Sequence, residues 1–597
     1  MQKYNNRNEV PEKYKWDLTE FFKDEKEFKQ TLPILKAKIE ELKKYKGCTK
    51  DSHKLKEFMD KEVDTIALWE DVYVYAYLIN DQELGNSNSI INKSLAEQLN
   101  GLLEVNTSFF APELLELSKE EYNKLFDNKE LLKYKFELDQ IYRGKEHTLT
   151  SNEERIVSGL ITAINHFDDT SSNLINNEHN YGSITDKKGN RETIATNNFR
   201  KLMRNKDEKY RKKVYRQFNK KLEEYAGTNA SLLNSYVQMN NEIAKIRHYK
   251  SSWDARLFEL NLSDKVFKTL VKTTEENLPS LHKYYALKKR ALGLDTLHIY
   301  DLNLDISKNN KTYSIEEAQD ILRKAIKPLG EEYSSKFNKI FDNHYIDYCQ
   351  YKGKCSGAYS FSTVNHNSRI LMSYNDELDS ISTIAHEGGH NVHHQFVKEN
   401  NDPVYRGPSS IVCEVASLTN ECLLSDYIYN NSKDNNERKA GLINIINVIV
   451  SNLFGAVREG KIEQEMYQEV AKGNPLTKDF LNKRTRNSLK KYYGNEVKTD
   501  KYIQNGWITR SHYYMHFYLY SYAICISVAS YVASKILSGD KEMLDRYLKF
   551  LKTGSDKWPH EAFAVLGIDL EDEKVYQEAI KYFDNLIDRF NSLLDKE

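Results

Sequence analysis

The sequence predicts a mainly α protein interrupted by two small β islands. Three observations lead there. Gly and Pro together number 33 of 597 residues (24 and 9), against roughly 12% in an average chain, which disfavours many-stranded, collagen-like and Pro-rich architectures. Apolar residues make up 40% and charged residues 29%, a balance that fits neither a disordered tail nor a membrane bundle. Apolar positions then recur at helical spacing over long stretches. Lys plus Arg is 87 against 88 for Asp plus Glu, so the basic excess of a nucleic-acid binder is missing.

Taken in order, the N-terminal residues 1–6 show no apolar run of the secretory kind. The six cysteines form no Cys-x-x-Cys pair, as expected of thiols in a reducing cytoplasm. From Asp51 to Leu78 the residues Leu55, Phe58, Met59, Val63, Ile66, Trp69, Tyr73 and Ala76 mark one helix face. Between Tyr181 and Ile194, two β-prone runs flank Asp186-Lys187-Lys188-Gly189-Asn190, the pattern of a hairpin. Charged helical pattern returns from Arg200 to about Tyr285. The second island is 353–374: Gly357–Val364 and Arg369–Tyr374 read as strands around the turn Asn365-His366-Asn367-Ser368. Asp376 or Asp379 is positioned to cap a helix running through Leu378, Ile381, Ile384 and Ala385. A loop signalled by Pro403 and Pro408 precedes a further helix from Glu414 to Leu424. The apolar stretches Ala440–Val457 and Ala523–Leu537 contain Asn, Ser and Tyr, or are too short to span a bilayer, and read as buried core helices with no membrane role.

The chemistry gathers on the helix after the second island. His386-Glu387-Gly388-Gly389-His390 is a His-Glu-x-x-His sequence. Residues four apart lie one turn apart on one face, so the two imidazoles can share a tetrahedral Zn²⁺. A divalent ion acidifies the water it holds, and Glu387 can take that proton as general base and return it to the leaving amine. Each of the two glycines costs a helix interior about 1 kcal/mol relative to Ala, a loss that makes sense if another backbone must come very close. The longer motif His-Glu-x-x-His-x-x-Gly-x-x-His is excluded, because positions 393 and 396 are His and Phe. His394 lies on a similar face and is expected to be solvated or to support the site from behind. Glu414 is the better third ligand. Glu421, seven residues on along the same face, can hold an imidazole by its free N–H. Further on, 507–522 is dense in tyrosine. Most of these rings read as core packing, while a few can donate to the oxyanion of peptide hydrolysis.

These residues resemble those of the oligoendopeptidase F group, in the thimet-oligopeptidase family of zinc metallopeptidases. The resemblance covers nearly the whole chain: Arg7–Leu18 at the start, Gly357-Ala358-Tyr359 and Ile370-Leu371-Met372 before the motif, Ala385–His390 itself, Glu414–Ser417 with Asn420-Glu421, and His512-Tyr513-Tyr514 followed by Phe517–Ala523. It implies a helical ellipsoid with a deep central channel and the small sheet beside the metal helix. Residues 1–195 would form one wall and 196–597 the catalytic region. It implies an endopeptidase acting on short unfolded peptides, with one Zn²⁺ per chain on His386, His390 and Glu414, and Glu387 as the base. His512, Tyr514 and Tyr520 are the expected oxyanion donors. Tyr514 is preferred to Tyr513 because the family carries Phe at 513, and the chain also departs from the family in having Ser511 where Pro is usual. The strand around Gly357, Ala358 and Tyr359 can pair with substrate backbone. The rival readings are a dipeptidyl-carboxypeptidase-like exopeptidase and an inactive peptide-binding protein.

Overall fold

The computed structural model describes residues 4–407 and 410–596, leaving the loop residue Pro408 outside. The chain is mainly helical and folds as two compact units, each assembled from three segments. The first unit holds residues 4–146, 311–427 and 532–568; the second holds 147–310, 428–531 and 569–596. The expected division at residue 195 is therefore not where the compact units part. Packing follows apolar faces and buried polar bonds rather than chain order.

In the first unit, the predicted amphipathic helix runs Ser52–Gln82, with the Asp51 side chain capping His53 and Lys54 N–H. Its buried face, including Leu55, Phe58, Val72 and Leu78, joins a core with Trp16, Phe28 and Leu138, and Leu371 from far along the chain belongs to the same core. The second β island supplies that residue. Tyr359–Phe361 pairs antiparallel with Arg369–Leu371, which pairs on its other side, in parallel, with Ile346–Asp347. Polar bonds stitch this sheet to the N-terminal helices. Thr363 Oγ1 donates to Asp71 at 2.6 Å and Tyr359 Oη to Asp81 at 2.9 Å. The buried Arg369 donates to the Asp17 carbonyl at 2.7 Å and to Glu20 at 2.8 Å. Without these partners its guanidinium would be an unpaired buried charge costing several kcal/mol.

The motif helix runs Leu378–Asn400. Its N-cap is Glu377 with no side-chain cap bond. Neither Asp376 nor Asp379 serves: Asp376 has a left-handed φ of 62° and Asp379 lies in the first turn. The next helix, Ser410–Asn431, starts a turn earlier than its apolar pattern suggested.

In the second unit the expected hairpin is present as Ser183–Thr185 against Arg191–Thr193. The carboxylate of Asp186 accepts from the backbone N–H of Lys188 and Asn190, and Gly189 takes φ 85°. Phe218, Leu233, Met466, Trp507 and Tyr520 are part of this unit's core. The stretches Asn435–Ala471 and Leu519–Leu537 are long and apolar enough to cross a membrane by composition, yet 61% and 78% of their apolar windows are buried within the fold, as core helices would be.

Candidate active site

The geometry around residue 386 is set by how closely two helices approach. A Cβ on Gly389 would lie 2.6 Å from Ser417 Cα and 2.7 Å from both Ala416 O and Ser417 N. All three atoms are backbone, so only glycine lets Ser410–Asn431 lie this close to the motif helix. Gly388 serves the opposite side, where a Cβ would meet the Phe337 ring at 2.6 Å. The expectation that the glycine pair marks a close backbone approach is met at Gly389, whereas Gly388 makes room for side chains. Asn420 ties the two helices together. Its Nδ2 donates to the Ala385 carbonyl at 3.0 Å and its Oδ1 accepts from Tyr333 Oη at 2.8 Å, all of it buried.

This contact brings Glu414 to the histidines. His386 Nε2 and His390 Nε2 are 3.3 Å apart, and Glu414 Oε2 is 3.3 Å from the first and 3.5 Å from the second. Among the described residues this trio forms a group of three that can hold a metal ion, its ligand atoms within 4.8 Å of one another. A tetrahedral ion with bonds of about 2.0–2.1 Å sets its ligand atoms about 3.3–3.4 Å apart, so the triangle fits zinc without rearrangement. Ser417 donates to Glu414 Oε2 at 3.0 Å and fixes the carboxylate.

Glu421 stands behind His386, its Oε1 2.8 Å from Nδ1 and its Oε2 accepting from Ser382 at 3.1 Å. That bond sets the Nδ1–H tautomer and turns the Nε2 lone pair toward His390 and Glu414. The electrostatics agree. Burial opposes a charge on His386, but hydrogen bonds to Glu414 and then Glu421 outweigh it and hold the imidazole pKa well above its ordinary value. Burial likewise opposes ionisation of Glu414, and the two histidines overcome it, holding the carboxyl far below the usual range. A cluster that attracts a proton this strongly attracts a cation. Glu387 is buried, at 8% exposure, one residue from the first histidine and three from the second; burial raises its pKa, a direction that suits a proton acceptor.

His394 is buried and apart from the trio, its Nδ1 without a partner, which corrects the expectation of a solvated ring. Burial pushes its pKa down to about 3. Sequence reasoning missed the supporting roles of Ser382, Ser417 and Asn420. A signal existed for Ser382, which precedes His386 and His390 at four-residue spacing on one helix face.

Gly357 and Ala358 are exposed and lead into Tyr359–Phe361, an edge strand of its three-stranded sheet. Gly357 has φ 95°, which a side chain would resist.

The tyrosine-rich segment belongs to the second unit. His512, Tyr513 and Tyr514 lie on the short 3₁₀ turn Ser511–Tyr514. His512 is half-buried, with its pKa lowered by burial and by Arg510. The Tyr514 ring packs edge-on against Tyr236 with centroids 5.2 Å apart. Tyr520 is a correction. It is 6% exposed, its hydroxyl donates to the Gly460 carbonyl at 2.7 Å, and its ring centroid is 3.7 Å from that of Phe267. A hydroxyl already committed to a buried carbonyl makes a poor donor to a transient oxyanion.

Comparison with known proteins fits this picture. The family model for peptidase family M3 matches residues 201–582, and that for oligopeptidase F matches 113–180. Oligopeptidase PepF of Bacillus subtilis strain 168 is 31% identical over 99% of this chain and 88% of its own. A crystal structure from Chlamydophila abortus superposes with a TM-score of 0.90 at 28% identity, covering 99% of this chain and 100% of the other. Oligoendopeptidase-F of Enterococcus faecium does so with a TM-score of 0.74 at 26% identity, over 96% and 100%. A family match over most of the chain, together with relatives along its full length, means that this protein belongs to peptidase family M3, among the oligoendopeptidase F peptide hydrolases.

Proposed function

We propose that this chain is a zinc-dependent endopeptidase that cuts internal bonds of short, unfolded oligopeptides, with one Zn²⁺ held by His386, His390 and Glu414. The observation that carries the reading is the triangle of ligand atoms, whose edges of 3.3, 3.3 and 3.5 Å match a tetrahedral ion. Two imidazoles and one carboxylate favour zinc among divalent ions. When bound, zinc supplies Lewis-acid polarisation of the scissile carbonyl and acidifies water.

The chain's own residues do the rest. Glu387 accepts a proton on its carboxylate from the attacking water and delivers it to the leaving amine nitrogen. Glu421 keeps His386 in the Nδ1–H tautomer, so that Nε2 stays available as a ligand. The strand edge at Gly357, Ala358 and Tyr359 pairs with the substrate backbone; such pairing reads little sequence and suits broad specificity. On the resemblance alone, His512 and Tyr514 are assigned as donors to the oxyanion; replacing either is expected to lower kcat about 10²-fold.

An internally quenched peptide blocked at both ends tests the reading. An endopeptidase cuts it; an exopeptidase or an inactive peptide binder leaves it intact. Glu387→Ala is expected to retain one zinc per chain and to lose at least about 10²-fold in kcat. Full activity in that variant, or no cleavage of the blocked peptide by wild-type protein loaded with zinc, would falsify the proposal.

A further inference from the structure

The second unit contains a cavity of about 410 Å³ whose lining includes His512, Arg458, Arg510 and Glu459. Two guanidiniums share one carboxylate there. Arg510 grips Glu459 with both arms of its fork, Nη2 to Oε1 at 2.8 Å and Nε to Oε2 at 2.6 Å. Arg458 Nη2 reaches the same Oε1 at 2.5 Å. Glu459 is the one acidic side chain in the lining, so the pair leaves an uncompensated positive charge. Each guanidinium carries five N–H donors, and these bonds use a minority of the ten. Arg510 Nη1, with Arg458 Nη1 and Nε, makes no hydrogen bond among the described residues. The wall at Val450–Gly455 is a π-helical turn, a rare insertion that often marks functional sites.

Unused planar donors and an excess positive charge together describe a receptor for an anion with paired oxygens. We propose that this cavity is a subsite for a peptide carboxylate, taken either from a C-terminus or from an acidic side chain, with Arg510 and Arg458 donating to its two oxygens. The choice of a peptide-borne anion follows from the peptidase reading. His512 lines the same cavity, so a carboxylate held there lies beside the residue assigned to the oxyanion.

The test measures binding apart from cleavage. Full-length protein is treated with a chelator so that nothing is cut, and anisotropy of a labelled heptapeptide is followed in three forms. One has a free C-terminus, one is amidated, and one is amidated with a Glu near the end. The expected result is about 10- to 100-fold tighter binding of a carboxylate-bearing form than of the plain amide, the yield of one charge-assisted pair. Whichever acidic form gains identifies the source of the carboxylate. Arg510→Gln should erase the difference and Arg510→Lys should restore part of it. The Arg510 side chain is 40% exposed, so these variants should fold, and thermal melting verifies that they do. Equal affinity for all three peptides, or a preference that survives in both Arg510→Gln and Arg458→Lys, overturns the subsite. If the zinc-loaded enzyme still cuts the blocked peptide in that case, the peptidase reading stands. Failure of both binding and cleavage removes the two together.

Discussion

Gly389→Ala is the sharpest test of how the metal site is built. The added methyl would sit 2.6 Å from Ser417 Cα, where ordinary van der Waals contact begins near 3.4 Å. The obstructing atoms are backbone, so the two helices must separate by about 0.8 Å or tilt, and overpacking of this kind costs about 1–3 kcal/mol. Glu414 lies three residues before Ser417 and moves with it. Its carboxylate now stands 3.3 and 3.5 Å from the two imidazole nitrogens. A shift of 0.8 Å stretches those edges toward about 4 Å, beyond the roughly ±0.2 Å that a metal bond tolerates. The expected result is a loss of zinc affinity of at least about 10- to 100-fold, on the scale seen when a metal ligand's support is removed. Competition with a chromophoric chelator measures it directly. Gly388→Ala is the control, because its methyl meets the Phe337 ring rather than the backbone of the helix that carries Glu414. Wild-type zinc affinity in Gly389→Ala would refute the claim that this backbone contact places the third ligand.

The helical class was legible because periodicity and the scarcity of Gly and Pro are local signals. His386 and His390 were legible for the same reason: four residues on a helix guarantee a shared face whatever the tertiary structure. Glu414 needed one further step, a second helix folding back, and the glycine pair hinted at it because its helix penalty required an explanation. Glu421 could be proposed from its seven-residue spacing, but not which imidazole nitrogen it holds. Residues whose roles depend on non-local geometry stayed hidden. Ser417 matters because the glycine contact fixes its backbone; Arg369 matters because Asp17 and Glu20 lie near it in space though far along the chain. Tyr520 shows the converse. Its seven-residue spacing from Tyr513 suggests one helix face, but the two lie on separate elements, the turn Ser511–Tyr514 and the helix Leu519–Leu537, and only the fold reveals that Tyr520 turns inward against Phe267 and Gly460. The division into units was illegible for a related reason: contacts made by 311–427 with the N-terminal helices leave no mark in linear composition.

Three further outcomes follow from particular contacts. Glu421→Ala removes the acceptor 2.8 Å from His386 Nδ1 and should weaken zinc binding about 10- to 100-fold; equilibrium dialysis showing unchanged affinity would exclude the tautomer argument. Ala358→Pro removes a backbone N–H beside the edge strand and should raise KM about tenfold with zinc content intact, whereas an unchanged KM removes strand pairing. The third concerns stability against pH. Glu463 is fully buried; one oxygen accepts the Phe517 N–H at 2.6 Å and the other has no partner. Burial, against weaker opposing effects from that bond and from Arg256, pushes its carboxyl up to about 8. Tyr236, Tyr467 and Tyr520, whose pKa values this carboxylate raises, all stay neutral over the range of interest. The folded protein therefore keeps this proton up to about pH 8, while the unfolded chain releases it near 4.5. Across that window the folded state binds more protons, so this group's contribution is complete below 4.5 and declines as pH rises toward 8. At roughly 1.4 kcal/mol per unit, the loss amounts to a few kcal/mol. Glu463→Gln is neutral in both states and escapes it. Thermal melts at pH 5.5 and 8.5 should show a smaller drop in Tm for the variant than for wild type; equal drops would mean that Glu463 is already ionised in the native protein.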